Sequence, residues 1–244
     1  MRTIWTYLNA VIFVLLCVFP LQKVKKINRQ SLTPEQLDEI IFKVPRKFGQ
    51  KTLWYTGSKV DVVGNQNFPQ GPVLIVANHQ GNVDIPLLLG VLDKPFGFIS
   101  KIEVKKIPIV RTWMKQMHCV FLDRNDKRQS VKAFRQGIDV LKSGHSLTIF
   151  PEGTRSQQDV PNTFKAGSFR LAKKAGVPVV PVAIHGTYKV MEANRGFIKP
   201  SHIKLTICEP ISAKEVEELS LDELAKRSEG QIVEAIQQSK QSEE

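Results

Sequence analysis

The sequence predicts an α/β fold, a mostly parallel central sheet flanked by helices, with an N-terminal two-helix membrane anchor. Three observations lead there. Short apolar runs alternate with helical stretches from about Lys59 onward, the spacing of strands joined by helical crossovers. The motifs richest in chemically active residues each directly follow one of those runs, and in open α/β sheets ligands bind beyond the carboxyl ends of the strands. The first 60 residues differ in kind, with an uncharged apolar run followed by a basic amphipathic one.

In chain order, residues 3–21 carry no charged side chain and are rich in Ile, Val, Leu, Phe and Trp, then give way to Lys23, Lys25, Lys26 and Arg29. A run of about 19 residues is just the length of a bilayer span. Thr3, Thr6, Asn9 and Pro20 weaken a spanning reading, and Trp5 and Tyr7 suit the headgroup level. A cleaved signal peptide fits poorly, because only Arg2 precedes the run and no small-x-small site follows it. Thr33-Pro34-Glu35-Gln36 then supplies a helix cap, a first-turn proline and an early acid. Leu37, Ile40, Ile41, Val44 and Phe48 recur at helical spacing with Lys43, Arg46, Lys47 and Lys51 between them. That is a basic amphipathic helix suited to an anionic interface, with a kink expected at Pro45. Residues 1–58 are therefore the expected anchor, both segments dipping into one leaflet in preference to one of them crossing.

Residues 73–77, 96–100, 119–122, 146–150, 177–184 and 203–207 read as short apolar strands. Between them, Ser130 is placed to cap a helix whose Val131, Phe134, Ile138 and Leu141 share a face before Gly144 ends it. Residues 165–175, closed by Gly176, form another. Residues 59–212 make the α/β domain on this reading. Residues 213–244, acidic and helical with Leu219, Leu221, Leu224, Ile232 and Ile236, make a peripheral tail.

Composition narrows the partners. At 244 residues the chain can bury one sizeable core. Cys17, Cys119 and Cys208 are too few and too scattered for a disulfide framework, so a reducing, cytosolic setting is expected for the main domain. The net charge of +12 divides into +7 over residues 1–60, +10 over 61–212 and −5 over 213–244. Nucleic acid, an anionic membrane surface and a phosphorylated small molecule all suit such a chain. Nucleic acid is set aside because most aromatics sit in apolar strands or the N-terminal segment, not interleaved with exposed cations. His118 and His145 read as surface or turn histidines, and no Cys-x-x-Cys, His-x-x-x-His or clustered carboxylates would add metal ligands to His79 and Asp84.

The candidate site lies at the strand ends. His79 and Asp84 are five positions apart, about 140° around a regular helix, so they meet only if the backbone bends between them, as Gly81 and Asn82 allow. Asp84 would then fix the imidazole tautomer and leave the other nitrogen as a base. Arg124 closes the strand at 119–122, and Phe150-Pro151-Glu152-Gly153-Thr154-Arg155 closes that at 146–150. A tight turn at Pro151 and Gly153 would aim the Gly153 amide at a ligand oxygen, the arginine forks suit phosphate, and Lys101 and Lys165 could add charge. Together these make a site for an anion beside a base. A solvated carboxylate in a turn is the plain alternative for Glu152, and a solvated helix start for Lys165.

Asn78-His79 to Asp84, Arg124, Phe150 to Arg155 and Pro181, in this order, resemble the four blocks of the glycerolipid acyltransferase family, most closely the bacterial 1-acyl-sn-glycerol-3-phosphate acyltransferases. The resemblance implies a His79–Asp84 catalytic dyad and an acceptor site drawn from Arg124, Glu152, Gly153, Thr154 and Arg155, with Lys101 and Lys165 beside it. Pro181 is implied to serve the acyl donor. Many relatives have serine at the position of Gly81, which reads as tolerable where only a bend is required. The implied reaction moves an acyl group from acyl-CoA or acyl-carrier protein to the sn-2 hydroxyl of lysophosphatidate at the cytoplasmic face of the membrane, without a cofactor. Another lysolipid or glycerol 3-phosphate is an alternative acceptor, and a non-catalytic lipid-binding protein an alternative class.

Overall fold

The computed structural model describes residues 1–241. Its sheet has seven strands: β1 (Lys59–Val63), β2 (Leu74–Ala77), β3 (Gly97–Lys101), β4 (Val120–Leu122), β5 (Leu147–Ile149), β6 (Val179–His185) and β7 (His202–Ile207), in the order β1-β7-β6-β2-β5-β3-β4. All neighbouring pairs are parallel except β6 with β7. Six strands fall on the predicted apolar runs. β1 does not, because at the sheet edge Lys59-Val60-Asp61-Val62-Val63 keeps one face in water and alternates instead. In β2 and β6 every residue is buried. Their side chains alternate between two cores, Ile75 and Val180 facing one, Leu74 and Val179 the other.

Helices α1 (Arg2–Leu16), α2 (Val18–Lys25), α3 (Pro34–Thr56), α4 (Asp84–Val91) and α5 (Pro108–Gln116) cover the first face. Helices α6 (Lys127–Lys142), α7 (Arg170–Ala175), α8 (Ala213–Glu218) and α9 (Leu221–Gln241) cover the second. The Thr33 cap forms as expected, with Gln36 closing a reciprocal capping box. α3 continues through Pro45 to Thr56, so the proline does not end it.

The apolar face of α3 is not offered to lipid. Leu37, Ile41, Phe42 and Leu53 are buried in the first core, and Gly49 packs on α4 so closely that an added Cβ would lie 2.5 Å from Gly90 N and Pro86 O. The largest run of exposed apolar side chains is on α1, where Ile4, Trp5, Leu8, Val11, Leu15 and Leu16 face outward, joined by Phe19 of α2 and Trp54 at the end of α3. α1 lies along α3: the Arg2 guanidinium donates to Thr56 O at 2.9 Å, and Phe13 packs on Phe48 with ring centroids 5.6 Å apart. With α2 it forms a nearly continuous apolar helix, Arg2–Lys25, long enough to cross a membrane. Packing is thus unbroken across residue 58, where the anchor was expected to end.

The tail is likewise built into the body. Leu224 and Ile232 of α9 are fully buried, Glu229 accepts from Phe164 N at 2.9 Å, and Lys240 pairs with Asp159 at 3.1 Å, so α9 clasps the loop after β5. Residues 242–244 of the predicted tail lie outside the described residues.

One local expectation changes and another is sharpened. Asp126, not Ser130, caps α6, its carboxylate accepting from Arg128 N and Gln129 N, while Ser130 donates to Asp123 O. His118 and His145 do sit at turns, and there they have partners. Their rings stack at 3.7 Å, and His145 Nδ1 lies 2.8 Å from Asp38 of α3, joining that helix to the turns before β4 and β5. Burial, and then His145, lower the His118 pKa to about 4.

Candidate active site

β2 through β6 are parallel, so the segments after them gather at one sheet edge. Asn78 extends the β2–β6 pairing by one side chain: its Oδ1 accepts from Ile184 N at 2.7 Å and its Nδ2 donates to Ile184 O at 2.9 Å. That fixes the exit of β2 and therefore the start of His79. The His79 amide donates to Glu152 Oε1 at 2.6 Å, its carbonyl accepts from Ser156 N at 2.7 Å, and its ring stacks on Phe150 at 4.1 Å. Both backbone groups of His79 are held, and one face of its ring is covered, before Asp84 touches it.

His79 Nδ1 lies 2.7 Å from Asp84 Oδ2. Asp84 is fully buried at the start of α4, where the helix dipole favours an anion. Its Oδ2 also accepts from Gly81 N at 2.9 Å, and its Oδ1 accepts from the Thr187 hydroxyl. With Nδ1–H donating to the carboxylate, Nε2 is left with its lone pair on a side chain 19% exposed. The pair can do what a general base requires: hold one tautomer and present the other nitrogen to the edge of the sheet.

Gly81 lies against a residue that the chain order hides. Its φ is not positive. A Cβ there would sit 2.4 Å from Glu192 Oε2. Glu192, on the turn Glu192–Asn194 and 110 positions beyond Asn82, accepts from Asn82 N at 2.8 Å and from Arg155 at 3.1 Å, with its side chain almost wholly buried. It therefore stitches the turn between His79 and Asp84 to the arginine of the Phe150–Arg155 block.

The remaining predicted residues separate into groups. Arg124 donates to Gly153 O, and Gly153, in the left-handed region at φ 76°, is flanked by Lys165, whose Nζ would be 2.6 Å from an added Cβ. Arg124, Gly153 and Lys165 thus share one cationic corner. The Gly153 amide, expected to face a ligand oxygen, instead donates to Phe150 O at 3.1 Å inside the turn. Arg155 is half-exposed and shared with Glu192. Thr154 is exposed between them, and Lys101 ends β3 beside Leu122 of β4 on the same edge.

Glu152 does not reach outward. It is buried, with Oε1 held by His79 N and Oε2 by Asn162 N at 2.8 Å. Burial pushes its carboxyl up while those two amides pull it down. Both oxygens are occupied by backbone, so its place is beneath His79, where it holds the turn together. Glu192, Thr187 and Phe150 were not picked out from sequence as site residues. Only Phe150, inside a recognised block, had a local signal.

A model of the family described as "Acyltransferase" matches residues 59–185. The chain is 34% identical to a probable 1-acyl-sn-glycerol-3-phosphate acyltransferase of Mycoplasma pneumoniae, over 75% of this chain and 70% of that protein. It is 38% identical to a chloroplastic 1-acyl-sn-glycerol-3-phosphate acyltransferase of Arabidopsis thaliana over 68% of this chain, spanning 47% of the plant protein's length. The crystal structure of the 1-acyl-sn-glycerophosphate acyltransferase PlsC from Thermotoga maritima superimposes with a TM-score of 0.85 at 33% identity, covering 98% of this chain and 95% of that one.

Proposed function

Because the chain belongs to the 1-acyl-sn-glycerol-3-phosphate acyltransferase family, we propose that it transfers a fatty acyl group from an acyl thioester to the sn-2 hydroxyl of lysophosphatidate, giving phosphatidate. The observation that carries this reading is the 2.7 Å contact of His79 Nδ1 with a fully buried Asp84, next to a corner holding Arg124 and Lys165. A passive lipid-binding protein would have no use for such a pair.

An alcohol has a pKa far above neutrality, so its proton must leave as the new bond forms. An imidazole suits that exchange. His79 Nε2 takes the sn-2 proton, the oxygen attacks the thioester carbonyl, and the tetrahedral intermediate collapses with loss of the thiolate, which receives the proton from Nε2. Asp84 stabilises the imidazolium between those two transfers. The thioester is reactive enough that no protein nucleophile is needed. Glu152 acts through His79 by fixing its backbone, and Glu192 acts through Asn82 and Arg155; both are positioning residues.

Arg124, Arg155 and Lys165 hold the acceptor phosphate, with Lys101 and Thr154 at the rim, making the attack effectively intramolecular. Purified protein given a radiolabelled acyl thioester and a panel of acceptors should consume lysophosphatidate in preference to glycerol 3-phosphate and to lysolipids with larger headgroups. Arg124→Ala should chiefly raise the acceptor KM, by about tenfold or more, and leave the donor KM nearly unchanged, since a lost charge-assisted bond removes about 1.5–3 kcal/mol of binding. Equal changes in both constants would remove the arginine from the phosphate site.

The protein is further proposed to sit on the cytoplasmic face of the membrane without crossing it. The Thr3 hydroxyl accepts from Ile198 N at 2.9 Å, and Tyr7 donates to Met191 Sδ at 3.0 Å, contacts that keep the start of α1 beside the α/β body. A spanning α1 would break both and would remove its packing on α3, including Phe13 on Phe48. In a Thr3→Cys, Cys17→Ala protein, an impermeant maleimide should react only when supplied from the cytoplasmic side. Reaction from outside intact cells would establish a span.

A further inference from the structure

Helix α6 has an outer face that the reaction chemistry leaves unexplained. Arg128, Lys132, Arg135 and Lys142 fall on one stripe at helical spacing, all exposed, with Asp139 the one acid among them. Val131 is 66% exposed in their midst, and Lys127 flanks it. Lys127, Arg128, Lys132 and Arg135 form no ion pair with any described residue. Lys127 and Arg128 stand in the first turn, where the helix dipole disfavours cations and the capping carboxylate of Asp126 is the one acid beside them. Four exposed cations on one helix, unpaired among the described residues, exceed what that single carboxylate offsets, which makes a binding role the natural reason for them.

Position decides what kind of partner fits. α6 begins three residues after Arg124, at the same sheet edge as His79, and runs back across β4 and β5. It packs on the second core, whereas the exposed apolar helix α1 packs on the first, so the sheet separates the two surfaces. The stripe therefore faces away from the side that carries the lipid-facing surface. A soluble partner is implied, and its charge must be negative.

We propose that the outer stripe of α6 docks a small acidic carrier protein that presents the acyl chain as a thioester, with Val131 as the apolar contact inside a ring of cations. This rests on the acyl-transfer reading of the site and names the carrier that reading left open. A carrier seated there would have its thioester arm over the carboxyl edge of the sheet, beside His79. Opposite charge would steer encounter and set register more than it would add raw affinity.

The test uses the full chain in detergent, with Arg128→Glu, Lys132→Glu and Arg135→Glu combined. All three side chains are exposed and glutamate is favoured near a helix N-terminus, so the fold is not threatened. Steady-state rates are measured with palmitoyl-acyl carrier protein and with palmitoyl-CoA, and binding to phosphatidylglycerol vesicles is measured by flotation. The KM for the carrier-protein thioester should rise about tenfold or more and lose its salt dependence. The KM values for palmitoyl-CoA and lysophosphatidate, and vesicle binding, should be unchanged. An equal rise for both donors, or loss of vesicle binding, would overturn the proposal in favour of a CoA or membrane contact. Turnover of palmitoyl-CoA with none of palmitoyl-acyl carrier protein by the unsubstituted protein would overturn the docking alone, whereas turnover of neither donor would overturn the acyl-transfer reading itself.

Discussion

His79→Ala is expected to lower kcat by about 10²- to 10⁴-fold, the range for loss of a positioned general base, while the far-UV spectrum and melting temperature change little. The fold should survive because the ring is at the sheet edge and the bonds that shape the turn come from the His79 backbone, to Glu152 and Ser156. The companion change Asp84→Asn is more disruptive than a simple loss of charge. Asp84 accepts from the His79 ring, Gly81 N and the Thr187 hydroxyl on its two oxygens. An asparagine has one acceptor oxygen, so its amide group would confront a donor. Its kcat should fall as far as that of His79→Ala, with a measurable drop in stability besides. A folded His79→Ala protein with normal turnover would end the mechanism.

Gly49→Val should have the largest effect on stability. The Cβ alone would lie 2.5 Å from Gly90 N and Pro86 O, both backbone atoms that no rotamer change can move. α3 must lift from α4, opening the packing around Leu87 and Leu88. Overpacking of this kind costs about 1–3 kcal/mol or more, and at roughly 2–4 °C per kcal/mol the melting temperature should fall by about 2–12 °C. Turnover should fall too, since α4 starts at Asp84. Gly230→Ala in α9, where an added Cβ meets nothing within 4 Å, is the matched control and should stabilise slightly, by up to about 1 kcal/mol. Equal melting temperatures for the two variants would show that the α3–α4 crossing is loose.

Much of the site was legible because its blocks are local. The spacing of His79 and Asp84, and the run Phe150 to Arg155, each fit inside one loop, and the apolar strand before each loop fixes where it emerges. Roles that depend on where a carboxylate points were not legible. Glu152 has the composition of a ligand and the environment of a buried brace. The bend expected at Gly81 and Asn82 forms, but nothing local announced that Glu192 would pack against it. Helical periodicity identified the apolar face of α3, yet period alone does not say whether that face meets lipid or protein. Its burial against α4 was decided by the Gly49–Gly90 approach.

Sequence by itself determined what short-range rules govern. Six strands follow from apolar runs, the α3 start from its cap and first-turn proline, the uncharged N-terminal run from composition, and the candidacy of His79 and Asp84 from the block they share with the family it resembles. Only the tertiary structure brought Thr187 and Glu192 to the turn at residues 79–84, turned Glu152 beneath His79, and buried the apolar faces of α3 and α9 in the two cores. The physical reason is the same in each case. A buried charge or polar group must find its partners, and those partners came from strands and turns about 40 to 110 residues away, whose proximity is set by sheet order and not by any local pattern.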